Sequence, residues 1–114
     1  MFLKQEPGVL YVGMRSVVEH NEIHNVCSEG QRYLASHEVE AMVLDIRGCK
    51  PIDSASFEEL KDFFVEARKR GVRRFARIGA GTLCAMQIRA MEEAADVRAE
   101  TEVNFDESTL TGLS

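Results

Sequence analysis

The chemistry-bearing residues of this chain crowd into one short stretch, CKPIDSASFEEL at 49–60, where Asp53, Ser54 and Ser56 sit between an apolar run and an amphipathic one. An acid beside two hydroxyls is compatible with three uses: nucleophilic catalysis, phosphate acceptance, or the start of a helix. Catalysis fits worst. No His or Lys lies nearby in sequence to activate Ser54, and SASFE lacks the glycine pair of a nucleophile elbow. Helix initiation accounts for the residue types directly. Asp53 or Ser54 is a good N-cap, because its side-chain oxygen can accept an orphan amide of the first turn. Glu58 and Glu59 then follow where the helix dipole favours negative charge. Position adds something to capping. The carboxyl end of a strand meeting a helix N-terminus is where open α/β sheets place their ligand sites, and a hydroxyl there is exposed.

Other candidate constellations are weaker. His20 and His24 have the i, i+4 spacing of two metal ligands on a helix, but Asn21 stands where a zincin glutamate belongs and no third ligand is evident. GAGT at 79–82 lacks the lysine of a phosphate-binding loop and the full dinucleotide fingerprint, so a tight turn is expected. Cys27, Cys49 and Cys84 are far apart in sequence, without a C-x-x-C pair, and read as reduced, mostly buried thiols. No cofactor or metal is implied.

The elements that must position these residues follow from hydrophobic spacing. Pro7 and Gly8 suit the central positions of a type II turn between MFLKQ and VLYVGM, which predicts a hairpin. Ile23, Val26, Cys27 and Leu34 fall on one face of a helix over about 21–36, with Gly30 inside it. EAMVLDIRG reads as a central strand covered on both faces. Phe57, Leu60, Phe63, Phe64 and Ala67 make the stripe of a second helix closed by Gly71. RRFARI is a further strand. Cys84, Ile88, Met91 and Ala95 mark a third helix, and AETEVNF alternates as a last strand. The order β-β-α-β-α-β-α-β implies one α/β domain over residues 1–114, with a mostly parallel sheet and an N-terminal hairpin.

Composition bounds the partners. The net charge of -5 over 114 residues argues against nucleic acid. No apolar stretch reaches the roughly 20 residues of a membrane helix, and no secretory signal is visible, so the cytoplasm is expected. The cluster Arg68, Lys69, Arg70, Arg73, Arg74 and Arg77 is the basic exception, a solvated helix end and strand edge or a meeting place for an acidic partner or a lipid surface.

The stretch AMVLDIRGCKPIDSASFEELKDFFVEARKRGVRRFARIGAG resembles the STAS domain of bacterial anti-sigma-factor antagonists, the SpoIIAA-like group, in element order over about residues 9–106. A strand with an acid leads there to an Asp-Ser-Ser-Gly-like turn and a helix. RIGAG and VNFDESTL are also similar to a neighbouring group described as STAS/SEC14-type. The resemblance implies a non-catalytic regulatory module, with Ser54 the candidate phospho-acceptor and Asp53, Ser54 and Ser56 at the partner surface. The partner it implies is a regulatory protein, a kinase-type anti-sigma factor. Ala55 and Ser56 replace the family's second serine and glycine. The SEC14-type likeness implies instead a carrier or sensor of an apolar or anionic small molecule, held near Phe57, Phe64, Ile88 and Met91, residues that plain core packing equally explains. The sequence leaves a homodimer open.

Overall fold

The computed structural model describes residues 1–14, 17–79, 83–97 and 99–101. The chain opens with β1 (Phe2–Glu6) and β2 (Gly8–Gly13), antiparallel and registered Glu6 to Val9 across the two-residue Pro7-Gly8 turn. Gly8 has φ 77°, the left-handed value that the second central position of a type II turn requires. Then follow α1 (His20–Ser36), β3 (Val39–Asp45), α2 (Ser54–Lys69), β4 (Arg74–Ile78), α3 (Leu83–Ala94) and β5 (Ala99–Thr101). The five strands lie in the order β1-β2-β3-β4-β5, and every pair after the hairpin is parallel. This is the mixed, mostly parallel α/β sheet with a hairpin edge that the spacing predicts. The last predicted strand is seen over 99–101, and its remainder lies outside the described residues.

Alternate strand residues divide the core. Leu10, Val12, Met42, Leu44 and Phe75 share one buried cluster with Ile23, Cys27 and Leu34 of α1, Leu60, Phe63 and Phe64 of α2, and Cys84, Ile88 and Met91 of α3. All three helices therefore cover one face of the sheet, since a strand's successive side chains point to opposite faces. Val9, Tyr11, Ala41, Val43, Ala76 and Ile78, the intervening residues, form a second buried cluster. β3 is apolar on both faces because it is central, as its unbroken run requires. Among the described residues, no helix is long and apolar enough to cross a membrane.

Gly30 shows why a helix tolerates a poor helix former. A Cβ placed on it would lie 2.6 Å from Cζ of Phe63, so the glycine lets α2 approach α1 until that ring fills the gap. At the other end of α2, Gly71 at φ 100° ends the helix in the left-handed conformation expected of a C-terminal glycine. The basic cluster is less uniform than its sequence suggests. Arg77 leaves it altogether: it is buried and paired with Glu92 of α3.

Candidate functional site

β3 delivers its last residue, Asp45, to the carboxyl edge of the sheet, fully buried. The Tyr11 hydroxyl donates to Asp45 Oδ2. Arg47 grips the same carboxylate through Nε at 3.0 Å and Nη2 at 2.8 Å, while its backbone amide donates to Oδ1 at 3.1 Å. An ionised carboxylate in the interior needs such partners. They also set the direction in which the chain leaves the strand towards α2. That pairing pushes the Arg47 guanidinium up from its ordinary value, with the Asp45 hydrogen bond as the main cause.

The 46–53 segment is then tied down from the side. Ile52 N donates to Gln87 Oε1 at 2.9 Å, and Gln87 Nε2 donates back to Ile52 O at 2.8 Å. This reciprocal amide pair fixes the segment against α3 and satisfies backbone groups that no strand ladder serves. Asp53 comes next as N-cap, with an extended backbone, and its Oδ1 accepts from Ser56 N at 2.7 Å. The Ser56 amide, then the Ser56 hydroxyl and more distantly His20 hold the Asp53 carboxyl below the usual carboxylate range.

Ser54 is the first residue of α2 and is exposed. Ser56, expected at the partner surface, is instead fully buried under the first turn. Its hydroxyl lies near the Asp53 carboxylate without a hydrogen bond of full geometry. The physical reason is helical phase. Ser56 precedes Leu60 by one turn on the face that meets the sheet, whereas Ser54 lies two residues earlier and points away. Leu60 is inward as its stripe predicts, but Phe57 is half-buried.

Phe57 faces a groove of about 560 Å³ lined by Pro51, Ser54, Phe57, Leu83, Met86, Gln87 and Ala90. Leu83 and Met86 are 66% and 64% exposed there, large apolar side chains left in water beside Ser54. Sequence spacing did not reveal this surface. Leu83 and Met86 flank the buried stripe of α3, and only the placement of α3 beside the start of α2 joins them to Ser54. Phe64, Ile88 and Met91, expected around a small-molecule pocket, are buried in the core cluster.

The remaining candidates separate. His20 and His24 of α1 both reach Glu59 of α2, with His24 Nδ1 at 2.6 Å and His20 Nε2 at 3.6 Å from Oε1, so the pair ties two helices together. Gly79 has φ 108°, the turn geometry expected of GAGT, and residues 80–82 lie outside the described residues. All three cysteines are buried and unbridged. Burial, with a smaller contribution from Glu59, pushes the Cys27 thiol up to about 12.

One stability prediction belongs to this cap. Asp53→Ala should lower the thermal midpoint, whereas Asp53→Asn should retain much of it, because an amide oxygen still caps. The Asp53 carboxyl has a depressed folded-state value. Its contribution is therefore present above the ordinary aspartate pKa of about 3.9 and lost as pH falls through the lower folded value. Thermal midpoints of wild type and Asp53→Asn should thus converge in acid. A gap that widens in acid would contradict the assignment.

No family model matches the sequence, and no curated protein does. Solved structures do match. The anti-sigma factor antagonist SpoIIAA in its unphosphorylated form superposes with a TM-score of 0.73 at 8% identity, covering 98% of this chain and 96% of that one. The phosphorylated form, described as the Bacillus cell fate determinant SpoIIAA, gives 0.75 at 8% identity, over 99% and 98%. The protein TM1081, solved by NMR, gives 0.66 at 12% identity, over 87% and 78%. Strand order, helix placement and these near-full-length superpositions agree: the chain has a STAS-like fold, that of the anti-sigma-factor antagonists.

Proposed function

We propose that this chain is a non-catalytic regulatory module that docks a partner protein on the groove beside Ser54 and releases it when Ser54 is phosphorylated. The observation that carries the reading is the juxtaposition of an exposed serine at a helix N-terminus with the exposed apolar pair Leu83 and Met86. Such a patch favours association through burial of apolar area. The helix N-terminus tolerates a new anion, since its amides and dipole face that charge. A phosphate would bring about -1.5 to -2 charge at pH 7 to the edge of the groove, next to Asp53 and a turn from Glu58. An apolar contact closing over that site would have to desolvate the dianion, so docking weakens. The unphosphorylated and phosphorylated forms of SpoIIAA, a protein of the same fold, support the choice of this switch. The partner class to test first is a kinase-type anti-sigma factor.

The test is a pull-down from lysate of the protein's own host, with wild type, Ser54→Ala, Ser54→Asp and Leu83→Glu as bait. Wild type and Ser54→Ala should retain one stoichiometric partner. Leu83→Glu should lose it, and Ser54→Asp should lose it at least in part, because one carboxylate carries less charge than phosphate. Equal retention by all four baits would refute the docking surface, and equal retention by Ser54→Asp and wild type alone would refute the switch.

A further inference from the structure

Leu83 and Met86 have one counterpart among the described residues: Val17, a large apolar side chain also left in water, at 70% exposure. Val17 lies in the connection from β2 to α1, and its neighbours set its outward position. Met14, fully buried, donates its backbone amide to Asp45 O at 2.7 Å and ties the start of the connection to the end of β3. Val18 is buried in the core, and Glu22 Oε1 accepts from the Glu19 amide at 3.3 Å as α1 begins. The connection is thus held at both ends, with Val17 exposed between them.

Strand order places Val17 relative to Ser54. β2, β3 and β4 are adjacent and parallel, so the connections leaving their last residues emerge side by side at one edge of the sheet. The first carries Val17, the second ends at Ser54, and the third leads into Leu83. Ser54 therefore stands between Val17 on one flank and the Leu83–Met86 pair on the other. His20, three residues after Val17, joins the first flank to α2: its Nε2 is 3.6 Å from Oε1 of Glu59.

Size points the same way. A stable protein–protein contact takes about 20–30 residues from each side. The groove is lined by seven residues, too few to hold a folded partner by itself. A contact that grows from the groove over Ser54 reaches Val17 on the far side. Packed helices lie about 8–10 Å apart, so the starts of α1 and α3 are roughly 16–20 Å from one another. A short peptide seated in the groove would fill it without touching Val17, whereas a folded protein face spans both flanks.

Given docking at the groove, on which this depends, we propose that the partner is a folded protein whose apolar face straddles Ser54, with Val17 as its second anchor. Ser54 then lies near the centre of the buried area. That position sharpens the switch: a charge at the rim of an interface stays hydrated, while one at the centre must be stripped of water.

The experiment titrates the partner isolated on the wild-type bait against the intact chain and its variants by surface plasmon resonance. Val17→Asp should weaken binding by about tenfold or more, as loss of an anchor does. Its thermal midpoint should stay at the wild-type value, because the side chain is exposed. Ala35→Glu, at an exposed position near the far end of α1, should bind as wild type does. Wild-type affinity for Val17→Asp, with binding lost in Leu83→Glu, would overturn the second anchor and leave the groove standing. A short proteolytic peptide of the partner that binds at full affinity would overturn the folded face. Unchanged binding by both Val17→Asp and Leu83→Glu would remove the groove reading and this surface together, as would a wild-type bait that retains no stoichiometric protein.

Discussion

Replacing Phe63 with alanine is expected to cost the fold about 3–5 kcal/mol, measured as the change in chemical-denaturation free energy. Phe63 is fully buried, packs edge-on against Phe64 with ring centroids 6.4 Å apart, and fills the gap that Gly30 leaves between α1 and α2. For a domain of this size that is a large share of a total stability of about 5–15 kcal/mol. The close approach makes a sharper prediction about Gly30. In an open helix, Gly→Ala should stabilise by about 1 kcal/mol. Here the new Cβ would meet Phe63 Cζ at 2.6 Å and Cε1 at 3.0 Å. The ring cannot swing into solvent, so overpacking of about 1–3 kcal/mol opposes the helical gain. Gly30→Ala should destabilise wild type and stabilise the Phe63→Ala variant. Failure of that sign to reverse would show that the two residues are not coupled as described.

Arg77→Met should be comparably damaging at neutral pH, about 3–5 kcal/mol, because it leaves Glu92 buried without the guanidinium that compensates it. Burial already pushes the Glu92 carboxyl above its usual value, with Arg77 pulling the other way. Removing Arg77 raises it further. A carboxyl whose folded-state value is raised favours the folded state most below its unfolded value, about 4.3, and loses that contribution as pH rises through the folded value. The deficit of Arg77→Met relative to wild type should therefore be largest at neutral pH and shrink towards pH 4. The double variant Arg77→Met with Glu92→Leu should recover most of the loss, since an apolar pair of similar volume avoids the desolvation of both charges. A deficit that stays constant with pH would show that Glu92 remains well compensated without Arg77.

The sequence made most of the scaffold legible because its signals are local. The Pro7-Gly8 turn, the stripes led by Ile23 and Phe57, and the unbroken run of β3 each state their own geometry through spacing. Asp53 as N-cap is likewise local, a carboxylate three residues before the amide it accepts. What spacing could not show is what the crossovers bring together. Arg77 reads as one of six basic residues until β4 is laid against α3, where it meets Glu92. Ser56 reads as a surface hydroxyl until the phase of α2 turns it under the first turn. Leu83 and Met86 look like unremarkable helix residues until the start of α2 stands beside them.

The central claim is that Ser54 and the groove beside it form one phosphate-controlled docking surface. Its most direct test is to purify the chain from its own host, separate the partner-bound and partner-free fractions, and map phosphate in each by peptide mass spectrometry. The account predicts phosphoserine at position 54 in the partner-free fraction and unmodified Ser54 in the bound one. Phosphate at Ser54 in equal proportion in both fractions, or no phosphate at Ser54 in either, would contradict it.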